Sequence, residues 1–135
     1  MTRLGPDRGS VTILFVVLAV AALASIGLVI DGGAKLQAIV AAQSTAESAA
    51  RAGAQQIDLR ALQEGRGGAT LDEAAAVSAA QRYLAAAGLP GNAVADGGSV
   101  TVTVTSARQT IFLPVIGITD VAATRTATAD VTVRQ

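Results

Sequence analysis

From Val11 to Ile30 the chain runs twenty residues without a charge, and as an α-helix that run is about 30 Å long, the thickness of a bilayer's hydrocarbon. Thr12 and Ser25 are its only hydroxyl residues, and a helix satisfies such groups by turning them back to its own carbonyls. A soluble domain would have to surround this rod with core, and a chain of 135 residues is too short to do so. The run therefore reads as a transmembrane helix. Arg3 and Arg8 precede it with Asp7 alone against them, whereas Asp31 and Lys35 follow it and cancel. The positive-inside rule then puts the N-terminus in the cytoplasm and the C-terminal domain outside it, on a single-pass cell-membrane protein. The alternative is secretion. Ala22-Leu23-Ala24 has the small-x-small form that signal peptidase reads, and cleavage after Ala24 would release a small secreted binding protein. Against cleavage, the apolar run continues through Ile26, Leu28, Val29 and Ile30, further than a signal core extends.

The rest of the composition narrows the chemistry. Cys and His are both absent, which removes thiol nucleophiles, disulfides, imidazole bases and most zinc sites together. Asp72 and Glu73 are the carboxylates adjacent in sequence, and they fall at a helix start, where acidic residues complement the dipole. The seven serines have no His to activate them, and a Ser/Lys dyad could draw only on Lys35, beside the membrane. No catalytic residue, cofactor site or metal site is expected, and the chain reads as a non-enzyme. Ten basic residues balance ten acidic ones, and the aromatics are Phe15, Tyr83 and Phe112 alone, so neither charge nor stacking supports nucleic-acid binding. Ala and Val supply the remaining apolar content, which suits close helix packing better than a roomy pocket.

Beyond the anchor, Asp31-Gly32-Gly33 is the first backbone weak point, a place for the helix to bend or break. Composition turns helical again from Ala34 to Gln63, with Leu36, Ile39, Val40, Ala46, Ala50, Ala54 and Ile57 near one face and an i,i+4 Glu47/Arg51 pair on the other. Such a helix is either a stalk that packs against like helices or an amphipathic helix lying on its own domain. Gly65-Arg66-Gly67-Gly68 reads as a linker, since no Lys-Ser or Lys-Thr follows to make a phosphate loop. Thr70 with Glu73 forms a capping box for a helix from Leu71 to about Ala87, whose inner face carries Val77, Ala80, Tyr83 and Leu84. Tyr83 is expected as a core anchor. Gly88 and Pro90 end that helix, and a turn at Pro90-Gly91-Asn92 and a loop through Gly97-Gly98 follow.

The period then changes to two. Val100, Val102 and Val104 alternate with Thr101, Thr103 and Thr105, and a second alternation runs from Val121 to Val133. Two antiparallel strands with outward Thr ladders are predicted, and Arg125 interrupts the apolar side of the second, at the sheet's end. Between them, Ile111, Phe112, Leu113, Val115, Ile116 and Ile118 form an apolar loop too short to span a bilayer. It must cover the chain's own helix around Tyr83, meet a partner, or touch the membrane surface; a contact surface in assembly is the expectation. The fold class is α+β: a long N-terminal transmembrane helix continuing into an Ala-rich helix, a second helix, and a C-terminal antiparallel hairpin or small sheet. The divisions are residues 1–10 cytoplasmic, 11–30 transmembrane, 31–64 a juxtamembrane stalk helix and 65–135 a small extracytoplasmic α+β domain.

Several segments together resemble the TadE/TadG-like proteins of bacterial tight-adherence (Flp) pilus systems, particularly actinobacterial forms. These are Arg8-Gly9-Ser10 leading into the apolar helix, the exit Val29-Ile30-Asp31-Gly32-Gly33-Ala34, the Ala-rich stretch from Gln43 to Ala54, and the Phe112–Ile118 loop with its following Ala/Thr strand. The resemblance implies a membrane-anchored pilin-like or accessory component of a pilus assembly or secretion system. Its partners would be the lipid bilayer, other pilus or secretion components, and further copies of itself through helix packing. It also implies a prepilin-peptidase cleavage site between Gly9 and Ser10. Substrates of that peptidase usually carry Glu at the fifth position of the product, where this chain has Leu14, so the resemblance favours an accessory, minor-pilin-like role over the repeating subunit.

Overall fold

The computed structural model describes residues 8–65 and 70–131. Arg3 and Asp7 of the N-terminal flank, Arg66 to Gly68 of the linker, and Thr132 and Val133 lie outside the described residues. One helix dominates: α1 runs from Arg8 to Ala54, 47 residues or about 70 Å. It is followed by a short α2 (Leu59–Gln63), by α3 (Glu73–Ala87), and by strands β1 (Gly91–Asp96), β2 (Ser99–Gln109) and β3 (Asp120–Asp130), with a 3₁₀ turn at Leu113–Ile116 between β2 and β3. The class is α+β, with the antiparallel sheet in the order β1-β2-β3.

α1 has two halves with opposite surroundings. Every side chain from Val11 to Ile26 is exposed, so most of the apolar run has little protein cover. Ser25 Oγ donates to the carbonyl of Ala21 at 2.8 Å, disposing of its hydroxyl within the helix. The C-terminal half instead lies across the sheet and against α3. Ala38, Ala42, Ala46, Ala49 and Ala50 are buried there, joined in the core by Ala76, Ala80 and Leu84 of α3 and Val100, Val102 and Val104 of β2. The helix does not break at Asp31-Gly32-Gly33 but continues through it. Glycine costs a helix interior about 1 kcal/mol, and the packing of the C-terminal half of α1 offsets it.

Of the face expected on α1, Ala46 and Ala50 are buried and Ala54 packs against the core, but its larger members turn outward. Leu36 and Val40 are exposed, at 63% and 65%, while Ala38 and Ala42, two positions on and about 200° around the helix, take the inward side. Helix and sheet approach so closely that methyl side chains fill the gap and larger ones are turned out. The same spacing corrects the reading of Tyr83. It is 42% exposed, and the buried stripe of α3 is Ala76, Ala79, Ala80 and Leu84. The cap of α3 is also two residues later than the capping box: Asp72 accepts from Ala75 N at 2.9 Å, because Leu71 is held in a bridge to Ile57. Capping is thus the work of one member of the Asp72/Glu73 pair. Glu47 and Arg51 do meet, at 3.8 Å on the outer side of α1.

β2 and β3 pair antiparallel as predicted, from Ser99 opposite Asp130 to Gln109 opposite Asp120. Thr101, Thr103 and Thr105 each bond across to Thr128, Thr126 and Thr124 at 3.0 Å, forming the outward ladder. Arg125 lies mid-strand opposite Val104 rather than at the sheet's end; its side chain is exposed and donates to the carbonyl of Thr124. The third strand, β1, occupies the stretch expected as a loop. It turns back into β2 through Gly97 and Gly98, whose φ of 58° and 92° fit the left-handed pair of a type I′ hairpin.

Candidate functional site, a loop seated on the apolar helix

The β2–β3 connection folds down along α1. Thr110 closes its neck: its amide donates to the carbonyl of Thr119 at 3.1 Å and its hydroxyl to the carbonyl of Ile118 at 2.7 Å. Inside that neck, three successive backbone amides converge on one side chain. Ile111 N donates to Asp31 Oδ1 at 2.8 Å, and Phe112 N and Leu113 N donate to Oδ2 at 3.0 and 2.8 Å. Asp31 is 1% exposed and is the one buried charged residue among those described. It is also the first residue beyond the apolar run. The Ile111 amide holds its carboxyl below the usual carboxylate range; desolvation opposes this, and the amides of Leu113 and Phe112 reinforce it.

One turn earlier, Gly27 receives Phe112. A Cβ added at Gly27 would lie 2.7 Å from Phe112 Cγ and 2.8 Å from its Cβ, closer than carbon atoms pack, so the ring sits directly on the helix backbone. The helix at this point needs a residue without a side chain. Beyond the ring, Val20, Leu23, Ala24 and Leu28 of α1 and Leu113 and Val115 of the loop form an open apolar groove. Measured along the helix, Asp31 to Val20 is about 16 Å, half of the apolar run.

The loop therefore covers its own chain, at Gly27 and Asp31 rather than around Tyr83. Phe112 and Leu113 face α1, while Ile111, Val115 and Ile118 remain outward, at 70%, 89% and 44% exposure. Phe112 itself is 40% exposed. Gly9 and Ser10 lie in the first turn of α1, and Ser10 is exposed; they are remote in sequence and along the helix from the loop. Asp31 is the residue of this candidate site that sequence reasoning missed. Its signal was present as a lone carboxylate at the end of an uncharged run, four residues after a glycine, but the acceptor's donors lie 80 to 82 residues away.

No curated protein and no solved structure matches the chain. The helix that carries Gly27, Asp31 and the alanine face does match a known family. Residues 9–56 match the Tad family model, the TadE/G-like proteins of Flp pilus assembly.

Proposed function

We propose that this chain is a single-pass, non-enzymatic accessory or minor-pilin-like component of a Tad/Flp-type pilus assembly or secretion system. In this reading its N-terminus is cytoplasmic and its α+β domain is extracytoplasmic. The observation that carries it is the coincidence of the family match with α1, whose first half is bare and apolar and whose second half is the spine of the domain. A continuous helix of this kind transmits the position of the membrane anchor to the domain without a hinge. Partners are assigned to α1: other pilus components along its exposed apolar side, and further copies of the chain through the outward Leu36 and Val40. The depth of the 111–118 loop beside Val20 to Leu28 restricts any contact it makes to the membrane plane. Processing between Gly9 and Ser10 keeps the whole anchor, whereas cleavage after Ala24 would remove part of the groove on which the loop rests.

Isolation from the producing bacterium tests the reading. The full chain is expected in the membrane fraction with pilus-assembly proteins co-isolating, and its intact mass should correspond to a start at Met1 or Ser10. A soluble product beginning at Ser25 would transfer the assignment to a secreted protein.

A further inference from the structure

Six of the loop's seven backbone amides are served from within the protein. The amides of Ile111, Phe112 and Leu113 are taken by Asp31. Pro114 has none. Those of Val115, Gly117 and Ile118 go to the carbonyls of Phe112, Pro114 and Leu113. An aqueous loop leaves such donors to water at little cost; a segment entering hydrocarbon has no water to use, and each donor left unmet there is strongly penalised. Between Thr110 and Thr119 there is also no charged or polar side chain.

We propose that the Ile111–Ile118 loop is immersed in the extracytoplasmic leaflet, and that phospholipid acyl chains fill the groove between it and α1. This rests on the reading that α1 spans the membrane. At that depth the outward Ile111 and Val115 meet lipid, and the loop becomes a second membrane contact beside the anchor. Acyl chains suit the groove better than a neighbouring helix does. Helix pairs in lipid favour small residues that let backbones approach, but here Gly27 is already covered by Phe112 and the remaining wall is largely Val20, Leu23 and Leu28. Exposed cations flank the apolar segment, Lys35 one turn beyond Asp31 and Arg108 three residues before Ile111. They stand where phosphate headgroups would be.

The chain has no cysteine, so single cysteines report cleanly. The full chain is reconstituted in phosphatidylcholine/phosphatidylglycerol nanodiscs with an environment-sensitive fluorophore at V115C, at L18C in the anchor, or at T126C on the outer face of the sheet. Expected at V115C are blue-shifted emission, strong quenching by brominated lipids, and iodide quenching several-fold weaker than at T126C. Iodide quenching at V115C equal to that at T126C, with L18C protected, overturns the immersed loop and leaves the anchor standing. Exposure of both V115C and L18C overturns the membrane reading itself. Protection of V115C that arises only when other pilus components are added also overturns the proposal and makes the loop a protein contact.

Discussion

At the scale of single residues, Asp31 joins the two parts of the molecule. A carboxylate offers two oxygens to three converging amides, and an amide side chain cannot. Asp31→Asn keeps the shape but turns an NH₂ toward backbone N–H groups, leaving at least one buried donor unmet. The variant should have a lower thermal midpoint than the parent in detergent, with faster hydrogen exchange at Ile111 to Leu113 and unchanged exchange in β2; parental exchange at those three amides would contradict the assignment. The same contact sets a pH dependence. The folded pKa of Asp31 lies below its ordinary value of 3.8, so the folded state holds its proton less tightly than the unfolded state does. The stability this contributes is complete above about pH 4 and is lost as pH falls further, through the folded pKa. Loop protection should therefore fall below about pH 4 in the parent and be flat there in Asp31→Asn.

Among the elements, the spacing of α1 on the sheet rests on methyl groups. Ala46 is fully buried, and Ala46→Leu would force extra volume between packed backbones at a cost of about 1–3 kcal/mol. Chemical denaturation of the full chain in detergent should show that loss; a variant as stable as the parent would mean that helix and sheet are loosely apposed. This packing explains what was legible beforehand. The Val/Thr alternation declared β2, its partner and the Thr ladder, because period two is a local signal. Helical content from Ala34 was equally plain, but the run expected to reach Gln63 stops at Ala54 and resumes at Leu59. Its inward face was legible at Ala46 and Ala50 but not at Leu36 and Val40, because the rule that larger apolar side chains turn inward fails when the gap admits only Ala. β1 was hidden for a related reason: Gly91 to Asp96 is short and poor in branched residues, and the Asp-Gly-Gly turn after it was its stronger signal.

For the whole molecule, length and absence of charge were enough to mark residues 11–30 as part of one helix long and apolar enough to cross a membrane, since both are properties of a contiguous segment. The seating of the loop was not readable in this way. It depends on residues near 27–31 and 111–113 meeting in space, and no spacing within either segment encodes the distance between them. In the proposed reading one continuous helix is shared between membrane and domain, with a loop fastened at their boundary. The central claim is that α1 crosses the bilayer with the sheet outside. The direct measurement is labelling of intact cells by a membrane-impermeant maleimide, using T126C and, separately, S10C, which is kept whether or not the chain is cut after Gly9, each recovered in carbonate-washed membranes. T126C should be labelled in intact cells and S10C only after lysis; labelling of S10C with protection of T126C, or loss of the protein to the carbonate supernatant, would contradict the claim.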